Sequence, residues 1–148
     1  MITASDTRTA ADDKSGALIR ELFEAAGHRV EHYEVLPDQP RRIVAAIEAQ
    51  LDKLDAIVIT GGTGVARHDL TVEAVRPLLA KELEGFGELF RMLSYQEIGS
   101  AAMLSRALAG VRGCTFIAVL PGSTAACRLA MEKLILPELG HVAALLAS

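Results

Sequence analysis

The sequence predicts a three-layer α/β/α sandwich around a mostly parallel sheet. Two near-continuous apolar runs, Ala56-Ile-Val-Ile-Thr60 and Thr115-Phe-Ile-Ala-Val-Leu120, have the β-branched character of strands covered on both faces. Helical patterns stand between the strand candidates, the alternation expected of crossovers that join parallel strands. A length of 148 residues suits one such domain over 1–148, with no internal repeat, linker or low-complexity segment.

Taken in order, Ile2 to Ser5 reads as a short first strand, clipped against the usual five or six residues or so. Lys14 to Ala26 carries Leu18, Ile19, Leu22, Phe23 and Ala26 at spacings of three and four, with Gly27 as the stop. Arg29 to Leu36 is a strand of mixed polarity, placed nearer an edge. Pro40 opens a second helix whose Ile43, Val44, Ile47 and Leu51 share a face. A short helix follows the strand at 56–60, with Asp69 or Thr71 as N-cap. Glu88 to Glu97 and Ala101 to Leu108 read as helices on the long excursion before the strand at 115–120. Ser123 to Leu136 is a strong helix ended by Pro137, and Glu138 to Ala147 a last one.

Composition narrows the function classes. Fifteen Lys and Arg against nineteen Asp and Glu give a net charge of −4, with 51% hydrophobic residues, an ordinary soluble globular balance. That charge and only six aromatics, Phe23, Tyr33, Phe86, Phe90, Tyr95 and Phe116, argue against nucleic acid as a partner. Apolar runs fall far short of the ~20 residues that span a bilayer, and polar residues follow Met1, so no membrane association and a cytoplasmic location are expected. Cys114 and Cys127 are too few for a disulfide framework or a zinc site, and both are expected to be reduced, buried and inert.

In open α/β sheets ligands bind beyond the carboxyl ends of the strands. Four such loops carry the distinctive residues: Ser5-Asp6-Thr7-Arg8-Thr9, Pro37-Asp38, Gly61-Gly62-Thr63-Gly64 leading to Arg67-His68-Asp69, and Pro121-Gly122-Ser123-Thr124. Dense glycines let consecutive backbone N–H groups approach an oxyanion, and a Gly-Ser turn at a helix start offers a second anion site. Two such sites on one edge fit a ligand with more than one phosphate; otherwise each is a tight strand-to-helix turn. Asp38 and Asp69 should face each other across the crevice, where Mg²⁺ would reconcile two carboxylates with phosphates. Their alternative roles are caps for the helices that follow. Arg67 and Arg106 are candidate phosphate clamps or solvated charges, and Asp6 binds a ligand group or its own turn. No His pair has metal spacing, and no Ser-His-acid set is identifiable.

The motifs Ser5-Asp6-Thr7-Arg8-Thr9, Asp13-x-Ser15-Gly16, Thr60-Gly-Gly-Thr-Gly64-x-x-Arg-x-Asp69-x-Thr71-x-Glu-Ala74, Gly85-Phe-Gly-Glu88, Met103-Leu-Ser-Arg106-Ala and Leu120-Pro-Gly-Ser123 occur in this order. Together they resemble the MoaB/Mog family of molybdenum-cofactor biosynthesis proteins, over nearly the whole chain and with most likeness to the MoaB branch. The resemblance implies a molybdopterin-binding fold and, in active members, transfer of AMP from Mg-ATP to the terminal phosphate of molybdopterin with release of pyrophosphate. It implies nucleotide and pterin contacts at Gly61, Gly62, Thr63, Gly64, Pro121, Gly122 and Ser123, with Mg²⁺ and catalysis at Asp38 and Asp69. Ser5, Asp6, Ser105 and Arg106 would form the molybdopterin side, with Arg67 and Glu88 among the ligand-binding residues. A homo-oligomer, trimer or hexamer built as a dimer of trimers, is implied as well. Within the family, a non-catalytic molybdopterin-binding or scaffold protein is the alternative. Relatives begin several residues earlier and complete the first strand.

Overall fold

The computed structural model describes all 148 residues. A six-stranded sheet has the order β2-β1-β3-β6-β5-β4. Its strands are β1 (Ile2–Ala4), β2 (Glu34–Leu36), β3 (Ala56–Thr60), β4 (Lys81–Glu82), β5 (Leu108–Arg112) and β6 (Thr115–Leu120). The first three and β6 pair in parallel, while β5 runs antiparallel to both β6 and β4. The chain moves outward from β1 to β2, then returns to lay β3 on the other flank of β1. That reversal opens a crevice between the carboxyl ends of β1 and β3, where open α/β sheets take their ligands.

Alternation along the central strands divides the core into two. Val58, Phe116, Ala118 and Leu120 point to one face, where α1 (Lys14–Ala25), α4 (Glu84–Ile98), α5 (Thr124–Ala130) and α6 (Leu136–Ala147) supply Ile19, Phe23, Phe90, Cys127 and Leu139. Ile57, Ile59, Ile117 and Val119 point to the other, covered by Ile43 and Ile47 of α2 (Pro40–Glu48) and by Val72 and Val75 of α3 (Thr71–Val75). Each of the Val, Leu, Ile and Phe side chains among them contributes up to roughly 1.5–3 kcal/mol by burial, and Ala118 less. Both faces of β3 and β6 are therefore apolar, which is why their sequences read without polar interruption. No helix is long and apolar enough to cross a membrane.

Four expectations are corrected. Residues 101–108 do not form a helix: a 3₁₀ segment, Gly99–Leu104, gives way to β5, which turns back on β6. Gly110 conceals this strand, because its missing side chain admits β4; a Cβ there would lie 2.5 Å from the Lys81 carbonyl oxygen and 2.7 Å from Leu79. The strand expected over 29–36 is confined to Glu34–Leu36. Pro137 does not end its helix. Between α5 and α6 the chain widens into a π segment, Met131–Ile135, in which the Leu136 N–H reaches the Met131 carbonyl five residues back. This looser winding accommodates a proline that would clash with the carbonyl four residues before it in a regular α-helix. Cys114 is exposed, whereas Cys127 is buried as expected.

Candidate functional site

The crevice begins with two glycine turns in contact. Gly61, directly after β3, has φ +96°, and a side chain there would collide with the Ala4 carbonyl at the end of β1. Its N–H donates to the Leu120 carbonyl at 3.0 Å, which ties the end of β3 to the end of β6. Gly62 has φ +68° and sits against the Thr71 hydroxyl, while a Cβ on Gly64 would lie 2.6 Å from Asp69 Oδ2. The turn after β6 is different. Gly122 has no atom closer than 3.8 Å to a Cβ position, and the third of these neighbours, at 3.9 Å, is the Gly61 Cα. Ser123 then caps α5, its Oγ accepting from the Ala126 N–H at 3.2 Å.

Beneath these turns lies a buried polar chain. Thr60 Oγ1 donates to Thr3 Oγ1 at 3.3 Å, and Thr3 Oγ1 donates to Asp13 Oδ2 at 2.6 Å. The same Asp13 oxygen accepts from the Tyr33 hydroxyl at 2.6 Å, while Oδ1 accepts from Ser15 Oγ at 3.3 Å and from the Gly16 N–H at 3.1 Å as N-cap of α1. Burial pushes the Asp13 carboxyl up, but the four hydrogen bonds outweigh it and hold the group below the usual carboxylate range. Burial and the bond to Asp13 together raise the Tyr33 phenol to about 12.

The acidic residues gather on the Gly62 side. Asp6 Oδ1 accepts from the Asp38 N–H at 3.0 Å, which sets the loop after β2 against the loop after β1. Asp38 Oδ1 is buried without a hydrogen-bond partner, and so is the hydroxyl of Thr71. Burial first, then the charges of Asp6 and Asp69, raise the Asp38 carboxyl, while His68 and the nearby Thr71 pull the other way. Asp38 is not the cap of α2, for that position belongs to Gln39. Nor does Asp69 cap α3, whose N-cap is Leu70. Asp69 Oδ2 accepts from the Ala66 N–H at 2.9 Å and closes its own turn. No three His, Cys, Asp or Glu side chains converge as a preformed metal centre.

The two expected arginine clamps separate. Arg106 Nε donates to the carbonyls of Gly64 at 2.9 Å and Thr63 at 3.3 Å, Nη2 donates to that of Asp69 at 2.9 Å, and the guanidinium pairs with Glu73. It braces the glycine loop rather than standing free beside it. Arg67 is exposed and makes no hydrogen bond or ion pair in the protein. Ser105 and Glu88 lie beyond Arg106, in a separate cleft of about 430 Å³ that also holds Arg76, Glu82 and Arg91. Ser5 Oγ stays in its own loop, accepting from the Thr7 and Arg8 N–H groups at 3.3 and 3.1 Å.

Arg8 and Asp13 were not among the expected site residues. Arg8 donates to the Gly122 carbonyl from both Nη1 and Nη2 at 3.2 Å and to Ser15 Oγ from Nη1 at 2.9 Å, linking the first loop to the last. The signal for Asp13 was its place directly before a helical pattern; Arg8 offered none beyond membership of a motif.

The chemistry open to this arrangement is recognition of oxyanions by turns at strand ends, next to carboxylates with an unsatisfied oxygen. The comparisons agree with it. The family described as "Probable molybdopterin binding domain" matches residues 1–141. Molybdenum cofactor biosynthesis protein B of Halalkalibacterium halodurans is 56% identical over 148 residues, covering 96% of this chain and 85% of that protein. A crystal structure of a molybdenum cofactor biosynthesis protein B superposes with a TM-score of 0.95 at 52% identity, covering 99% of this chain and 92% of the other. The tungsten cofactor synthesizing protein MoaB from Pyrococcus furiosus gives 0.88 at 38% identity, covering 99% and 94%. With sequence and fold both matching, this chain belongs to the MoaB/Mog family of molybdenum-cofactor biosynthesis proteins and carries its molybdopterin-binding domain.

Proposed function

We propose that the chain is a Mg-ATP-dependent molybdopterin adenylyltransferase. An oxygen of the terminal phosphate of molybdopterin attacks the α-phosphorus of ATP. The bond from that phosphorus to the bridging oxygen breaks, and pyrophosphate leaves with the electron pair. The attacking oxygen is already anionic, so no protein nucleophile and no strong base are needed. Catalysis then rests on alignment and charge neutralisation. The observation that carries this reading is the junction of Gly61 and Gly122 beside a carboxylate cluster whose Asp38 Oδ1 is buried and unsatisfied.

The residues present fit a divalent cation. Asp38 and Asp69 would hold Mg²⁺, which when bound neutralises the phosphates and draws charge from the leaving pyrophosphate. Mg²⁺ commonly takes one or two carboxylates plus phosphate oxygens, so a closed cage of three side chains is not required. Backbone N–H groups of the two turns orient the ligand phosphates, and Arg106 keeps the first turn in shape. Ser5, Asp6 and Ser123 complete the lining of the crevice. Arg67 reaches ligand from the outer loop, and Glu88 and Ser105 contribute from the adjoining cleft.

One observation favours the alternative, a family member that binds molybdopterin without catalysis: the Asp69 carboxylate is already engaged with its own turn. Incubating the purified chain with molybdopterin and Mg-ATP separates the two readings. The enzyme releases pyrophosphate and forms adenylylated molybdopterin, whereas the binder takes up pterin alone. Asp38→Asn and Asp69→Asn, which preserve shape and can still accept the Ala66 N–H at 69, should each lower turnover about a hundredfold or more, the scale of a lost electrostatic group in a catalytic site. Full activity in both variants would refute the carboxylate mechanism.

Self-association belongs to the same proposal. Leu89, Met92, Tyr95 and Ile98 are exposed along α4, continuing to Met103 and Leu104. Their removal from water would stabilise a trimer or hexamer. A strictly monomeric mass in solution would contradict it.

A further inference from the structure

A site that holds phosphates at the meeting of two glycine turns gains from a fixed guanidinium at the junction itself, and it is Arg8, rather than Arg67 or Arg106, that borders Gly122. Arg106 donates to three carbonyls and pairs with Glu73, so its Nε–H and both Nη2 hydrogens, the side-on fork, are committed within the protein. Arg67 is exposed on the outer loop and is not among the nearest neighbours of the Gly122 Cβ position. Arg8 is the guanidinium at the junction. Its Nη1 and Nη2 lie 3.8 Å from the Cβ position of Gly122, whose next neighbour is the Cα of Gly61.

The donor count of Arg8 leaves a particular edge free. A guanidinium carries five N–H bonds in a fixed plane. Both Nη atoms share the Gly122 carbonyl, and the second hydrogen of Nη1 goes to Ser15 Oγ. What remains is Nε–H together with the outer hydrogen of Nη2, the two parallel donors that form the side-on fork matching an oxyanion. Nε has no protein partner and is not among the buried unsatisfied atoms, so it is open to solvent. The side chain is 36% exposed, and its other edge is fixed by Gly122, by Ser15 and by the Asp13 carboxylate 3.8 Å away. A held guanidinium with one open fork loses little freedom when it takes an anion.

We infer that Arg8 is the phosphate-binding cation of the crevice: its free Nε–H and Nη2–H fork takes a phosphate oxyanion of a ligand lying over the Gly61 and Gly122 turns. The inference rests on the reading of the crevice as a site for phosphorylated ligands. The shared chemistry is a phosphate group; molybdopterin and ATP are its two possible sources. Arg8 binds ligand directly and at the same time fixes the Gly122 carbonyl, so the second turn is held in place by the residue that completes it.

Calorimetric titration of the chain with inorganic pyrophosphate, Mg-ATP and molybdopterin tests this, alongside Arg8→Gln and Arg8→Lys. Arg8→Gln removes charge and fork and should weaken the phosphate probe that sits on Arg8 about 10- to 100-fold, the range of a charge-assisted hydrogen bond. Arg8→Lys keeps the charge near Asp13 but not the planar fork, and should retain an intermediate affinity with a smaller loss of melting temperature than Arg8→Gln. It also keeps the test open should Arg8→Gln fail to fold. The arm that loses affinity, ATP or molybdopterin, identifies the source of the phosphate. Wild-type affinity for all three probes in Arg8→Lys and in folded Arg8→Gln overturns the assignment, as does the absence of any phosphate binding by the wild type. Arg8-dependent binding without pyrophosphate release would leave the assignment standing and defeat the adenylyltransferase reading. Turnover with Arg8-independent affinity would do the reverse.

Discussion

The two glycine turns at the crevice look alike in sequence and differ in what holds them. In the turn after β3, Gly61 and Gly62 both adopt positive φ, and a side chain on either would strike Ala4 or Thr71. The fold itself requires these glycines, because three strand ends converge there. In the turn after β6, Gly122 is not among the glycines with positive φ, and its nearest neighbours stand at ordinary van der Waals distance. Neither strain nor crowding explains a glycine at 122. A glycine that neither strain nor crowding demands, with only the Arg8 guanidinium and Gly61 bordering its Cβ position, is the stronger indication of a ligand, so the plainer of the two turns says more about function.

This contrast can be broken by substitution, beginning with the largest effect. Gly61→Ala should lower stability by about 3–5 kcal/mol, combining a disfavoured φ with a backbone collision, as read by urea unfolding. A wild-type midpoint would show that the turn relaxes at little cost. Asp13→Ala, which leaves the Thr3 and Tyr33 hydroxyls beneath the turns without their acceptor, should cost about 2–4 kcal/mol at neutral pH. Because the folded Asp13 carboxyl is held low, its stabilisation is complete above the unfolded value near 3.9 and is lost as pH falls through the folded one. The gap between wild type and variant should therefore narrow below about pH 4; a gap that widens on acidification would reverse the sign assigned here.

Asp38 has the opposite sign. Its carboxyl is shifted up, so its ionisation opposes folding at neutral pH and protonation on acidification relieves that cost. Asp38→Asn should melt slightly higher than wild type near pH 7, with the advantage fading in acid, while turnover is lost. A lower melting temperature at neutral pH would mean that the buried carboxylate stabilises the empty crevice. Gly122→Ala should change stability least, within about 0.5 kcal/mol, yet weaken phosphate binding. Unchanged affinity would show that a methyl group at 122 does not impede a ligand at the junction.

How legible all this was depended on who decides a residue's conformation. The parallel strands β3 and β6 stood out because both their faces are buried, and local sequence records that directly. β5 did not, since Gly110 lacks a side chain to suit the close approach of β4, a tertiary demand with no strand-like composition. Pro137 looked like a stop because the π widening that absorbs it leaves no local signature. Among the site residues, the glycine turns, Asp6 and Asp38 were placed together as strand-end loops should be. Arg106 stands out in the sequence, but its partners do not: they are backbone carbonyls more than thirty residues away. Arg8 carries no local signal for the same reason, because the Gly122 carbonyl that orients it comes from the far end of the chain.

The central claim is that one ligand's phosphates occupy both turns. A crystal structure of the chain soaked with Mg-ATP tests it most directly. The account predicts phosphate density reaching from Gly61–Gly64 toward Gly122, with a cation against Asp38. Nucleotide bound elsewhere, or contacting only one of the two turns with Asp38 unengaged, would contradict it.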